Sequence, residues 1–150
     1  MTQHPGLMTP RDLFAKLQRE LGNLESAVSA DAYFNFVITA YHLCDWIKND
    51  SAAPASARSA LAALRKQLPV KICRDLANGS KHFTLDYADV VVADATCVAA
   101  YGSGRFGKGA YGVGEPTIRI TLADGAVLDG LSVARDAVQL WDQFFSSHVP

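Results

Sequence analysis

The sequence predicts an α+β fold: an N-terminal bundle of about four helices, a three-stranded antiparallel meander, and a C-terminal helix that covers it. Three observations carry this. Residues 9 to 83 repeat apolar side chains at spacings of three and four, the period of a helix. From residue 84 the pattern turns to short runs rich in β-branched residues, bounded by turn signals. A helical spacing returns after Ser132. Helices come first and strands follow as a block, so the alternation of a βαβ fold is missing. A chain of 150 residues fits one domain, and 49% hydrophobic residues suffice for a core.

Residues 1–8 read as a flexible tail, and 9–150 as a single domain with a helical half (9–83) and a meander-plus-helix half (84–150). Thr9 can cap the first helix, and Pro10 suits its first position because the missing N–H would be unpaired there anyway. Leu13, Leu17, Leu21, Leu24 and Val28 form its apolar stripe. A second helix, from about Asp31 to Lys48, is apolar on most sides and carries a narrow polar stripe of Asn35, Thr39 and His42, with Asp45 at its edge. Such a helix is central in a bundle. An Ala-rich third helix runs from about Ala55 to Gln67. Pro69 either kinks it or starts the fourth, which continues through Asn78-Gly79 to about His82. The stretches DYADVVVADATCVAAY, PTIRITL and AVLDGL read as strands, the last two joined by a two-residue Asp124-Gly125 hairpin turn. Ser132 caps the last helix, with Val133, Ala137, Leu140, Trp141 and Phe144 on one face.

Composition narrows the function classes. The net charge of −1 supplies no global attraction for nucleic acid or membrane, so such contacts need a local patch. Cys44, Cys73 and Cys97 are odd in number and widely spaced, which fits reduced core thiols rather than a disulfide framework. The opening MTQHPGLMTP holds no apolar signal segment. The stretch from Tyr33 to Ile47 is too short and too polar to span a bilayer. These features point to a cytoplasmic protein away from membranes.

Two motifs suggest chemistry. The first is YGSGRFGKGAYGVGEP. Gly102, Gly104 and Gly107 match a dinucleotide fingerprint, and Gly102, Gly107 and Lys108 match most of a P-loop. Both motifs need a helix after the loop to aim N–H groups at phosphate, and here a strand follows. The segment reads instead as a pliable hairpin loop. Arg105, Phe106, Lys108 and Tyr111 put cations beside aromatics, which suits either nucleic acid or a protein partner. The second motif is RDLANGSKHF. Arg74, Asn78 and His82 stand at i, i+4 and i+8, one stripe on a continuous helix, flanked by Asp75 and Lys81. His42 and Asp45 lie in the most apolar helix and need polar partners, so they are expected against the 74–82 segment. His42, Asp45, Asp75 and His82 are metal-ligating types, but no HExxH or similar pair accompanies them, and no metal or cofactor is assigned.

The strings FNFVITAYHLCDWI and CRDLANGSKHF resemble a family of small bacterial and phage-associated proteins, through Tyr-His-x-x-Asp-Trp and Asp-Leu-x-Asn-Gly-x-Lys-His. More loosely, the helical half resembles a HEPN domain. Active HEPN domains are metal-independent endoribonucleases, usually dimeric, found in defence and mobile-element systems. Their pattern is an Arg, a polar residue, and a His a few positions on. Arg74, Asp75 and His82 match it, although seven residues separate Arg74 from His82, one more than the usual upper limit. The resemblance implies Arg74, Asp75, Asn78 and His82 as catalytic residues, His42 and Asp45 as their support, and Lys81, Arg105 and Lys108 as phosphate contacts. It implies RNA, a protein partner or inhibitor, and a homodimer, for which Phe34, Phe36, Tyr41 and Trp46 around the second helix supply apolar surface. The leading expectation is therefore a HEPN-like, nucleic-acid-associated protein, with endoribonuclease activity as its candidate chemistry; the alternative is a non-enzymatic protein-interaction module, in which the stripe is a structural hydrogen-bond network and the Gly-rich loop is the contact surface.

Overall fold

The computed structural model describes residues 5–99 and 116–149. Four helices come first: α1 (Pro10–Ser26), α2 (Ala30–Asn49), α3 (Ala55–Leu64) and α4 (Leu68–His82). Strands β1 (Val92–Ala99), β2 (Pro116–Leu122) and β3 (Val127–Asp129) follow, and α5 (Gly130–His148) closes the fold. This is the α+β order that the patterning predicts. Among the described residues no helix is long and apolar enough to cross a membrane.

Local chemistry sets most helix ends. The Thr9 hydroxyl accepts from the Asp12 amide, while the Asp12 carboxylate accepts from the amides of Met8 and Thr9. Pro69 sits in the first turn of α4, so it starts that helix rather than kinking α3. Helix α3 ends at Leu64, short of the expected Gln67, because the chain must turn before Pro69. Helix α4 does run through Asn78-Gly79 to His82. Its buried Val70, Ile72, Cys73 and Ala77 hold it against the bundle, which outweighs the poor helix propensity of that pair.

Helix α2 is central. It buries Tyr33, Phe36, Val37, Ala40, Leu43, Cys44 and Ile47, and it packs against every other helix. Of the four aromatics named on it, Phe36 is buried, Tyr41 and Trp46 are half-buried, and Phe34 is exposed. Helix α5 packs on α1, where the Phe14 and Phe145 rings stack 4.7 Å apart, and on the sheet. Trp141 is fully buried.

The sheet is antiparallel, in the order β1-β2-β3. Ile118, Ile120 and Leu122 of β2 point into the core. Their partners on β1 are Cys97, Ala95 and Val92, and the ladder shifts register between Val92 and Asp94. That bulge keeps both Val92 and Ala95 on the core side. The Leu122–Ala126 pair closes a loop of three residues, Ala123 to Gly125, not the expected two. The Leu122 amide donates to the Ala126 carbonyl at 2.8 Å and the Gly125 amide to the Leu122 carbonyl at 2.9 Å. Gly125 takes φ +90°, the left-handed position that completes such a loop. The cap of α5 is Asp129 rather than Ser132: its carboxylate accepts from both the amide and the hydroxyl of Ser132. Cys44 and Cys73 are core thiols, with burial raising each pKa to about 12. Cys97 departs from the expectation and is exposed: among the described residues α5 packs on β2 and β3 rather than over this part of β1.

Gly130 joins the layers. The Tyr33 hydroxyl donates to its carbonyl at 2.9 Å, and a Cβ added here would sit 2.5 Å from the Ile118 side chain. Gly130→Ala should therefore lower unfolding stability by about 1–3 kcal/mol through overpacking. Tyr33→Phe, which removes the hydrogen bond alone, should cost about 1 kcal/mol. Urea titrations with an unchanged m-value check both.

Candidate functional site

The continuity of α4 puts Arg74, Asn78 and His82 on one face, but at different depths. Arg74 and Asn78 are half-buried, and His82 and its neighbour Lys81 are exposed. Between them the helix turns Asp75 inward, where its side chain is completely buried. A buried carboxylate is stable only if its lone pairs are filled. Oδ1 accepts from Arg74 Nε at 2.9 Å and from the Tyr87 hydroxyl at 2.6 Å. Oδ2 accepts from the Val91 and Val92 amides at 2.6 and 3.1 Å.

Arg74 is equally committed. Its Nη1 donates to the Asp89 carboxylate and its Nη2 to the Asp89 carbonyl, each at 2.8 Å. Its guanidinium lies 4.8 Å from the centre of the Tyr87 ring. All three guanidinium nitrogens thus have partners. Arg74 and Asp75 together clamp the segment that leads from α4 into β1. Burial and donation to Asp75 raise the Tyr87 pKa, and the nearby Asn78 side chain partly offsets the rise. The hydrogen bond from Arg74 holds the Asp89 carboxyl below its ordinary 3.8.

Beyond this clamp, Asn78, His82, Thr84, Leu85, Asp86 and Tyr87 line an open polar cavity of about 610 Å³. A second, more apolar groove of about 590 Å³ runs between α2, the end of α4 and β1, lined among others by Phe34, Val37, Leu76 and Ala95. Phe83 lines the edge of this groove and is 98% exposed.

His42 and Asp45 do not join this region. Both are exposed, on a solvent-facing stripe of α2 with Asn35 and Asn49, and neither side chain makes a hydrogen bond or ion pair among the described residues. The expectation that an apolar helix would bury them fails because α2 is not buried all round. Thr39 of the expected stripe is buried instead, accepting from Lys16 Nζ at 2.7 Å and donating to the Asn35 carbonyl. Arg105, Lys108 and the Gly-rich loop lie outside the described residues. Among the described residues no group of three or more His, Cys, Asp or Glu side chains is gathered as for a metal ion. Sequence reasoning missed Tyr87, Asp89 and Phe83. Tyr87 and Asp89 sat inside an expected strand, and only the change of pattern after His82 hinted at a separate segment.

Two outcomes follow from the clamp. Asp75→Asn puts an NH₂ group against existing donors and should cost about 3–5 kcal/mol, with the Val91 and Val92 amides losing hydrogen-exchange protection. Asp89 has a folded pKa below its unfolded value, so the unfolded chain binds more protons near pH 3.8. Its contribution is complete above that pH and is lost as pH falls through the lower, folded value. Stability measured downward from pH 5 should therefore fall less steeply in Asp89→Asn than in the wild type.

Compared with known proteins, the chain matches no family model, no curated protein and no solved structure.

Proposed function

We propose that this chain is a non-enzymatic protein-interaction module, in which the Arg74–Asp75 clamp serves the fold and the surface around the end of α4 serves the partner. The observation that carries the reading is the occupancy of Arg74. A catalytic Arg stabilises developing negative charge with donors aimed at the reacting group. Here Nε, Nη1 and Nη2 are already bound to Asp75 and Asp89, and Asp75 has no free lone-pair direction left for orienting a base. The exposed Phe83 and the apolar groove beside it are features of a contact surface. A cytoplasmic setting belongs to the same proposal, supported by three free cysteines.

One observation favours a second reading, a HEPN-like, metal-independent endoribonuclease of a defence or mobile-element system. His82 is exposed and shares its polar cavity with Asn78. In that role the RNA 2′-OH attacks the adjacent phosphate, forming the P–O2′ bond as the P–O5′ bond breaks; His82 takes the 2′-OH proton and returns it to the departing 5′-oxygen, Lys81 holds phosphate, and Arg74 must first release Asp89.

Incubation of the purified chain with mixed RNA in EDTA, beside His82→Ala, separates the two. The interaction module predicts no difference between the variants at any enzyme concentration. Cleavage by the wild type that His82→Ala abolishes would overturn it.

A further inference from the structure

The outer edge of β1 changes character along its length. The Leu122 amide and carbonyl bond to Ala126 and Gly125, on the β3 side. Ladder bonds alternate along a strand, so Thr121, Arg119 and Thr117 turn their backbone groups to β1. Their partners Asp94, Thr96 and Val98 turn theirs to β2. The amides and carbonyls of Ala95 and Cys97 therefore point away from β2, and among the described residues β1 ends the sheet. At the start of this edge the Asp75 carboxylate takes the amides of Val91 and Val92. Nothing among the described residues does the same for Ala95 or Cys97. Free edges are ordinarily covered, or blunted by Lys or Pro. Val92–Ala99 contains neither, and residues 93–97 are all exposed. The bulge lies before Ala95 and leaves the rest of the strand regular.

The apolar groove follows this edge. Consecutive residues from Val92 to Cys97 line it, whereas a groove on one face of a strand touches alternate residues. Across it stand Phe34 and Val37 of α2 and Leu76 of α4, with Phe83 at the rim. Unpaired backbone groups beside an apolar wall suit one added strand. Its backbone bonds to the edge, and every second side chain enters the groove. The small side chains of Ala95 and Cys97 leave room for these. Charge narrows the occupant further. The described lining holds two acids, Asp75 and Asp94, and no cation. Asp75 is filled by its four donors. Asp94 is exposed on the outward face and makes no ion pair among the described residues, Arg119 standing opposite Thr96 instead. A neighbouring strand with Lys or Arg at its outward position complements it. A second folded copy fits less well, because its β1 brings the same helix wall to the edge.

We infer that the edge of β1 binds an extended segment of a partner protein as an added strand, with apolar side chains at alternate positions in the groove and a basic residue beside Asp94. This rests on the interaction-module reading and gives that partner's chemistry. The test is selection on the full chain from a displayed library of short peptides, apolar at alternate positions and unrestricted between them. Selected peptides should carry Lys or Arg between the apolar residues. N-methylation of the peptide amides that face β1 should weaken binding by about tenfold or more, and methylation of those that face away should not. Ala95→Pro should lose binding yet melt close to the wild type, because the ladder does not use that amide. Asp94→Lys should weaken Lys-bearing peptides by about twofold to fivefold. Cys97 is the exposed thiol, so bound peptide should also slow its reaction with a water-soluble aromatic disulfide. No selected binder, or binding indifferent to which amides are methylated, overturns the inference, and the methylated peptides decide it on the wild-type chain whether or not Ala95→Pro folds. A dimer in light scattering that Ala95→Pro dissolves and peptide does not displace also overturns it, giving the edge to a second copy. Failure to bind peptide leaves the interaction module standing on another surface, whereas His82-dependent RNA cleavage overturns the non-enzymatic reading alone.

Discussion

The burial of one carboxylate organises the junction between the two halves of this protein. Asp75 lies in a helix that packs into the core, and its charge is tolerable there only because four donors reach it. Two of those donors are backbone amides at the entry to β1. The strand therefore begins where Asp75 lets it begin, and the expected strand residues from Asp86 to Val90 remain outside the ladder. Arg74 extends the clamp to Asp89, and Tyr87 fills the space between them.

A strand anchored at one end by a helix must still find its register on β2. The bulge between Val92 and Asp94 does this, returning the inward alternation to Ala95 and Cys97 opposite Ile120 and Ile118. Those inward residues are small, and α5 is drawn to β2 and β3 by the close approach at Gly130. The open groove beside β1 follows from the two together: small side chains on the floor, and the covering helix held elsewhere.

The stripe on α4 was legible as a stripe. Its spacing and the continuity of the helix across Gly79 place Arg74, Asn78 and His82 on one face. What each residue does was not legible. Asp75 and His82 are both polar residues near the end of an amphipathic helix, yet one is fully buried and the other exposed. The difference arises from a segment 12 to 17 residues farther on, which folds back over Asp75 and not over His82. Nothing in the local spacing of RDLANGSKHF encodes that return. The same holds for His42 and Asp45, whose exposure depends on which faces of α2 the other helices leave uncovered.

The sequence by itself determined the order and type of the elements. Periodicity, Pro10 and Pro69 at helix starts, and Gly125 at the hairpin are properties of short stretches, and short stretches carry their own backbone preferences. Tertiary structure alone decided which polar groups became architecture and which remained at the surface. Burial and hydrogen-bond partners depend on segments distant in the chain. The cost of an unpaired buried charge makes such partners mandatory without indicating where in the sequence they are found.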